Sequence, residues 1–252
     1  MSLARPATHP ALHASRRLMG AHLSLLAWFW CIAVAAFVVG TFVLVAVDAT
    51  HLAIVPWARQ AFVWFPFSLE IVVATTYIRA HVAAGMTRRT FVAVALCVAA
   101  AVALLNGVLM ATMLTLERLA HGWLGWDWTF SDAGFDPSGY SWPLAFLDYG
   151  LTFLVGNLCG LLVGIVFYAA GAAWGSKVGA WIGILTIPLT CGPVLAVLGV
   201  VAAGGTAGGP DQVFRFLGGV GTATAISLGL AVAVALAFAT IARRTAIARA
   251  RT

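Results

Sequence analysis

Glu70 stands in the run AFVWFPFSLEIVVATTYI, residues 61–78, where no other side chain is charged. A lone carboxylate there can hold a proton or a cation, accept hydrogen bonds from neighbouring helices, or line a water-filled path. A charge at the centre of a bilayer costs at least about 2.5 kcal/mol, so the group must face protein or water, or be protonated. Asn106 and Asn157 lie in similar runs and are read with Glu70 as interhelical hydrogen-bond partners or members of a polar relay or pathway. Other chemistry is thinly supplied. No histidine falls inside a predicted span, no HExxH or G-x-S-x-G occurs, and no serine has a base nearby on its helical face. The phosphate-loop pattern G-x-x-x-x-G-K-[ST] is missing as well, GAAWGSKV having the wrong spacing, so neither a metal, a cofactor nor ATP hydrolysis is expected of this chain. Cys31, Cys97, Cys159 and Cys191 all lie in predicted membrane helices without a CxxC pair and are read as small apolar residues.

The elements that position these groups follow from composition. Of 252 residues, 62% are hydrophobic and 9% charged, and the mean hydropathy is +1.01. Such a chain has too few polar side chains to cover a water-soluble globule. Six apolar runs are long enough to cross a bilayer as helices: 25–47, 61–78, 91–116, 144–170, 178–203 and 221–242. Pro66 in the second is expected in its first turns, where a missing N–H costs little. The first run is read as a retained span, because 23 apolar residues exceed the core of a signal peptide, although Val47-Asp48-Ala49 loosely resembles a cleavage site. The basic residues set the orientation. With both termini inside, the inner segments hold eleven of them (Arg5, Arg16, Arg17, Arg79, Arg88, Arg89, Lys177, Arg243, Arg244, Arg249 and Arg251), and the outer side three (Arg59, Arg118 and Arg215). The sequence pI near 9.7 is therefore explained by topology and anionic lipid, with no nucleic acid as partner.

Between the spans the sequence carries further signals. Apolar residues recur at 11/12, 18/19 and 25/26, with Ser15 and His22 between them, which predicts a helix lying in the inner interface ahead of the first span. Gly156, Gly160 and Gly164 form two successive GxxxG steps that let another helix approach, in the same bundle or in a second subunit. Pro188 and Pro193 predict a kink in the fifth span. The loop from Glu117 to Pro143 contains HGWLGWDWTF, whose tryptophans suit the outer membrane interface. Between the second and third spans, RAHVAAGMTRRTF (79–91) reads as two turns of helix from Ile78 to Ala84, ended by Gly85 in the left-handed conformation, with Thr87 capping the next helix. Arg88 and Arg89 fall in that helix's first turn, where its dipole disfavours cations, so something outside the helix must account for them.

That stretch resembles the G-x-[ST]-R-R-x-[FL] segment of ABC type-2 permeases, the membrane subunits of bacterial ABC exporters. FYAAGAAWGSKVG (167–179) is a weaker match to the inner turn between their fourth and fifth spans, departing from it by offering only Lys177. The resemblance implies an all-α integral membrane protein with six transmembrane helices, both termini cytoplasmic and an N-terminal interfacial helix. The whole chain, 1–252, would be one permease domain: residues 1–24 cytoplasmic and interfacial, 25–242 a six-helix bundle and 243–252 a cytoplasmic tail. It further implies that Arg79, His81, Gly85, Thr87, Arg88 and Arg89 couple the bundle to a separate ABC ATP-binding subunit, present in two copies and holding the ATP and Mg. A second permease copy, identical or not, and membrane lipid complete the expected partners, in a multi-pass protein of the bacterial cytoplasmic membrane. The expected function is export of a hydrophobic or amphipathic substrate by alternating access. Two other readings stand beside it. An ion-coupled secondary transporter would use Glu70. A haem-handling protein of cytochrome c maturation would use the tryptophan-rich loop with His51 and His121.

Overall fold

The computed structural model describes residues 10–50, 52–127, 141–192 and 220–245. Among them the chain is helical, with no strand. The helices are α1 (Pro10–Ala46), α2 (Val55–Val72), α3 (Ile78–Ala83), α4 (Arg88–Leu124), α5 (Trp142–Trp174), α6 (Ser176–Thr186) and α7 (Val220–Arg244). A π-helical turn, Val73–Tyr77, joins α2 to α3 without a break, and a second, Ile187–Cys191, prolongs α6. Five of these helical stretches are long and apolar enough to cross a membrane: those of α1, α2 with α3, α4, α5 and α7. The protein is therefore a multi-pass membrane protein by length and composition.

The bundle is built around α5, which packs on α2, α4, α6 and α7. Its small residues permit this. A Cβ added at Gly160 would stand 2.9 Å from the Glu70 Cβ and closer still to the Phe67 carbonyl oxygen, and one at Gly164 would stand 2.7 Å from the Ala74 Cβ. The GxxxG face is thus turned to α2 of the same bundle, and van der Waals contact between backbones supplies what hydrophobic burial cannot supply in lipid. By contrast α1 rests at the margin, on α4 and lightly on α2, and its C-terminal half exposes Ile32, Val39, Phe42 and Val43.

Several boundaries differ from expectation, for physical reasons. The N-terminal interfacial helix is not a separate element: α1 runs unbroken from Pro10 to Ala46, because nothing between 11 and 26 interrupts helical hydrogen bonding. α2 begins at Val55 rather than 61, with Arg59 and Gln60 inside it, so Pro66 lies in its fourth turn instead of its first. α4 continues to Leu124, eight residues past the predicted end. Hydropathy ended that span at Leu116, yet Glu117 and His121 are buried on the helix's inward face. Cys159 is buried, while Cys31 and Cys97 are exposed on the bundle surface. Of the fifth predicted span, 178–203, residues 193–203 lie outside the described residues, as do residues 128–140 of the tryptophan-rich loop and His51. Within the described part, the helical pattern gives way to the π turn around Pro188.

Candidate functional site

Glu70 lies midway along the combined α2–α3 helix, about 20 Å of helix rise from either end, and is fully buried. The partner it meets is His22 of α1, whose Nε2 is 3.3 Å from Glu70 Oε1. This corrects the expectation that no histidine falls within the spans. The approach is out of line for a hydrogen bond, and the second carboxylate oxygen has no partner among the described residues. Leu18, Leu26, Phe67 and Ala74 belong to the apolar cluster around the pair. His22 was missed because the hydropathy run begins at Leu25. The signal was present: Leu18, His22 and Leu26 are four residues apart, and all three are buried on one face of α1.

The geometry restricts the protons. His22 Nδ1 is 3.0 Å from the Leu18 carbonyl oxygen, which can only accept, so Nδ1 carries a hydrogen. In a neutral ring Nε2 would then present a lone pair to a carboxylate oxygen, acceptor against acceptor. One shared proton removes that conflict, held as imidazolium with carboxylate or as imidazole with carboxylic acid. The pair is a one-proton site in an apolar setting.

The two amides tie helices together. Asn106 Oδ1 accepts from Trp30 Nε1 at 2.9 Å, joining α4 to α1, and Asn157 Nδ2 donates to the Ala99 carbonyl at 3.0 Å, joining α5 to α4. Neither touches Glu70 by a hydrogen bond. Towards the far end of α2 lies Glu117, the first residue of the predicted tryptophan-rich loop. Its carboxylate accepts the N–H groups of Ile54 at 2.6 Å and Val55 at 3.2 Å. An anion here answers the orphan donors of a helix whose first residues, Ile54-Val55-Pro56, include no capping side chain. Nearby, Arg59 donates to Thr152 Oγ1 at 3.0 Å, approaches Asp148 at 3.9 Å and lies over the Tyr149 ring. His121 Nδ1 is 3.2 Å from the Asp127 carbonyl.

At the opposite end, the turn from α3 to α4 has the caps read from its sequence. Gly85 takes φ +78°, with its N–H bonded to the Val82 carbonyl and that of Met86 to the His81 carbonyl. Thr87 Oγ1 accepts the Thr90 N–H at 3.2 Å. The six residues assigned to docking divide in two. Arg79, Gly85, Thr87 and Arg89 are exposed. His81 is buried with its ring 5.6 Å from Phe91, and Arg88 donates to the Arg243 carbonyl at 3.2 Å, at the end of α7. Arg88 thus satisfies carbonyls at a helix C-terminus, where the dipole favours a cation. Comparison of the chain with protein-family models, with curated proteins and with solved structures finds no match.

Proposed function

We propose that the chain is the membrane-spanning subunit of an ATP-driven exporter, an ABC type-2 permease that moves a hydrophobic or amphipathic substrate by alternating access. The observation that carries this reading is the α3–α4 turn. It is ordered by a left-handed glycine and a threonine cap, exposes Arg79 and Arg89, and continues through the π turn into the helix bearing Glu70. A push on such a turn travels along one continuous helix to the bundle's middle. Two permease copies with two ATPase subunits in a bacterial plasma membrane complete the arrangement, and the motion requires that the ATPase bind the two bundle states unequally.

Six crossings with both termini inside belong to the same proposal. What supports them is the contact of Arg88 with the Arg243 carbonyl. It sets the end of α7 beside the start of α4, so α7 starts at the end of the bundle opposite Ser176, and the chain between them has one more crossing to make.

An ion-coupled transporter is the second reading, favoured by the buried Glu70–His22 pair. One experiment separates the two: the chain reconstituted in proteoliposomes with an ABC ATP-binding subunit, assayed for ATP hydrolysis and for export of a fluorescent amphiphile. Export that needs ATP and stimulates hydrolysis is the expected result. Transport driven by a proton gradient without ATP, and lost in Glu70→Gln, would transfer the conclusion to the second reading.

A further inference from the structure

A cavity of about 270 Å³ opens at the basic end of the bundle, lined by Thr75, Thr76, Arg79, Phe167, Tyr168, Gly171 and Ser176. We propose that it is a binding site for the phosphate headgroup of an anionic phospholipid, independent of which transport reading holds.

The polar atoms available there are donors. Arg79 is held with its guanidinium carbon 4.9 Å from the Tyr168 ring centroid, and no salt bridge occupies it among the described residues. Tyr168 is 3% exposed, and among the described residues its hydroxyl has no hydrogen-bond partner. A buried phenol left unpaired costs free energy, and an acceptor seated in the cavity would remove that cost. Thr75 spends its hydrogen on the Ile71 and Val72 carbonyls, while Thr76 and Ser176 bring further hydroxyls. α6 begins at the cavity with Ser176, and no side chain caps its N-terminus and no acid lies in its first turn. Its free N–H groups form a ready anion site. A guanidinium, hydroxyls and uncapped amides, with no carboxylate among the described lining residues, match a phosphodiester.

The surroundings point to lipid rather than a soluble anion. Phe167 forms an apolar wall of the cavity, and Phe167, Trp174, Val178 and Trp181, on the two helices α5 and α6 that contribute to its lining, are exposed. An amphiphile with phosphate at the polar rim and acyl chains along these side chains satisfies both surfaces, as basic pockets between membrane helices do. The π turn contributes as well, because Thr75 and Thr76 belong to it and Arg79 follows within a turn. Without the extra residue of the π turn, everything beyond it would rotate by about 100° about the helix axis, and Arg79 would leave the cavity.

The test uses the full chain in detergent, freed of co-purified lipid and titrated with short-chain phosphatidylglycerol, phosphatidylcholine or inorganic phosphate, with binding read by native mass spectrometry. Phosphatidylglycerol should bind at one tight site, and Arg79→Gln should weaken it about tenfold, the loss of one charge-assisted contact. Tyr168→Phe keeps the ring under Arg79 and removes only the hydroxyl, and should weaken binding several-fold. Arg244→Gln, at the same end but outside the cavity, should leave it unchanged. Helix content and thermal unfolding in phosphatidylcholine alone serve as the folding check for each variant. Equal binding of phosphatidylcholine, undiminished binding in folded Arg79→Gln and Tyr168→Phe, or inorganic phosphate binding as tightly as the lipid would each overturn the assignment.

Discussion

Glu70 and His22 are buried together, and among the described residues neither has another side-chain partner to fall back on. Breaking such a pair from one side leaves a polar group stranded, whereas replacing both sides with apolar residues does not. His22→Leu alone should therefore destabilise the detergent-solubilised protein by about 3 kcal/mol, and the double variant with Glu70→Leu should regain most of it, losing much less than the sum of the two single losses. Glu70→Gln should stay near the parent, because its amide can donate to the Nε2 lone pair. Reversible unfolding of the four proteins gives the cycle, and strictly additive losses would mean that the two groups do not interact. Half of this pair was legible in the sequence. A carboxylate in an apolar run announces itself, but a histidine at the polar fringe of a helix is seen only through the four-residue spacing of its buried neighbours, Leu18 and Leu26. Glu117 was obscured in the same way. Its partners are backbone amides of another helix, which no side-chain motif records.

Helix ends show where local chemistry is readable and where packing decides. Gly85 and Thr87 cap the α3–α4 turn as their residue types require. The end of α4 and the start of α2 were misplaced, because Arg59, Glu117 and His121 look like loop residues to a hydropathy scale and find burial or partners only in the assembled bundle. The adjacent arginines at the start of α4 follow the same division. Arg88 is committed to the Arg243 carbonyl, and Arg89 is exposed about 100° further round the helix. Arg88→Ala should loosen the end of α7 by roughly 1 kcal/mol, seen as faster hydrogen exchange over residues 236–244. Arg89→Lys should leave that exchange unchanged while lowering stimulation of the proposed ATPase partner, since lysine lacks the planar fork that pairs with carboxylates. If Arg89→Lys retained full stimulation, the exposed arginine would be no more than a topology signal.

The whole molecule is a bundle with charge sorted to its ends. Arg79, Arg88, Arg89, Lys177, Arg243 and Arg244 lie at one end, and Asp48, Glu117, Asp127 and Asp148 towards the other. This asymmetry was visible before any helix was placed, because lysine and arginine are the costliest side chains to move across a membrane and their loop distribution sets orientation. The order of packing was not visible, since α5 owes its central place to three glycines facing one particular neighbour. Orientation and crossing number are open to a direct test. Ala84, just before α4, and Trp123, in its last turn, are both exposed, at opposite ends of a helix of 37 residues and about 55 Å. In a background without the native cysteines, Trp123→Cys should react with a membrane-impermeant maleimide on intact cells, and Ala84→Cys only after permeabilisation. The termini extend the test to the crossing number. Thr8→Cys and Arg249→Cys should both behave like Ala84→Cys if the chain crosses six times, whereas five crossings would expose one of them to the outside reagent. Reaction of Ala84→Cys on intact cells would reverse the orientation and remove the α3–α4 turn from reach of any cytoplasmic ATPase.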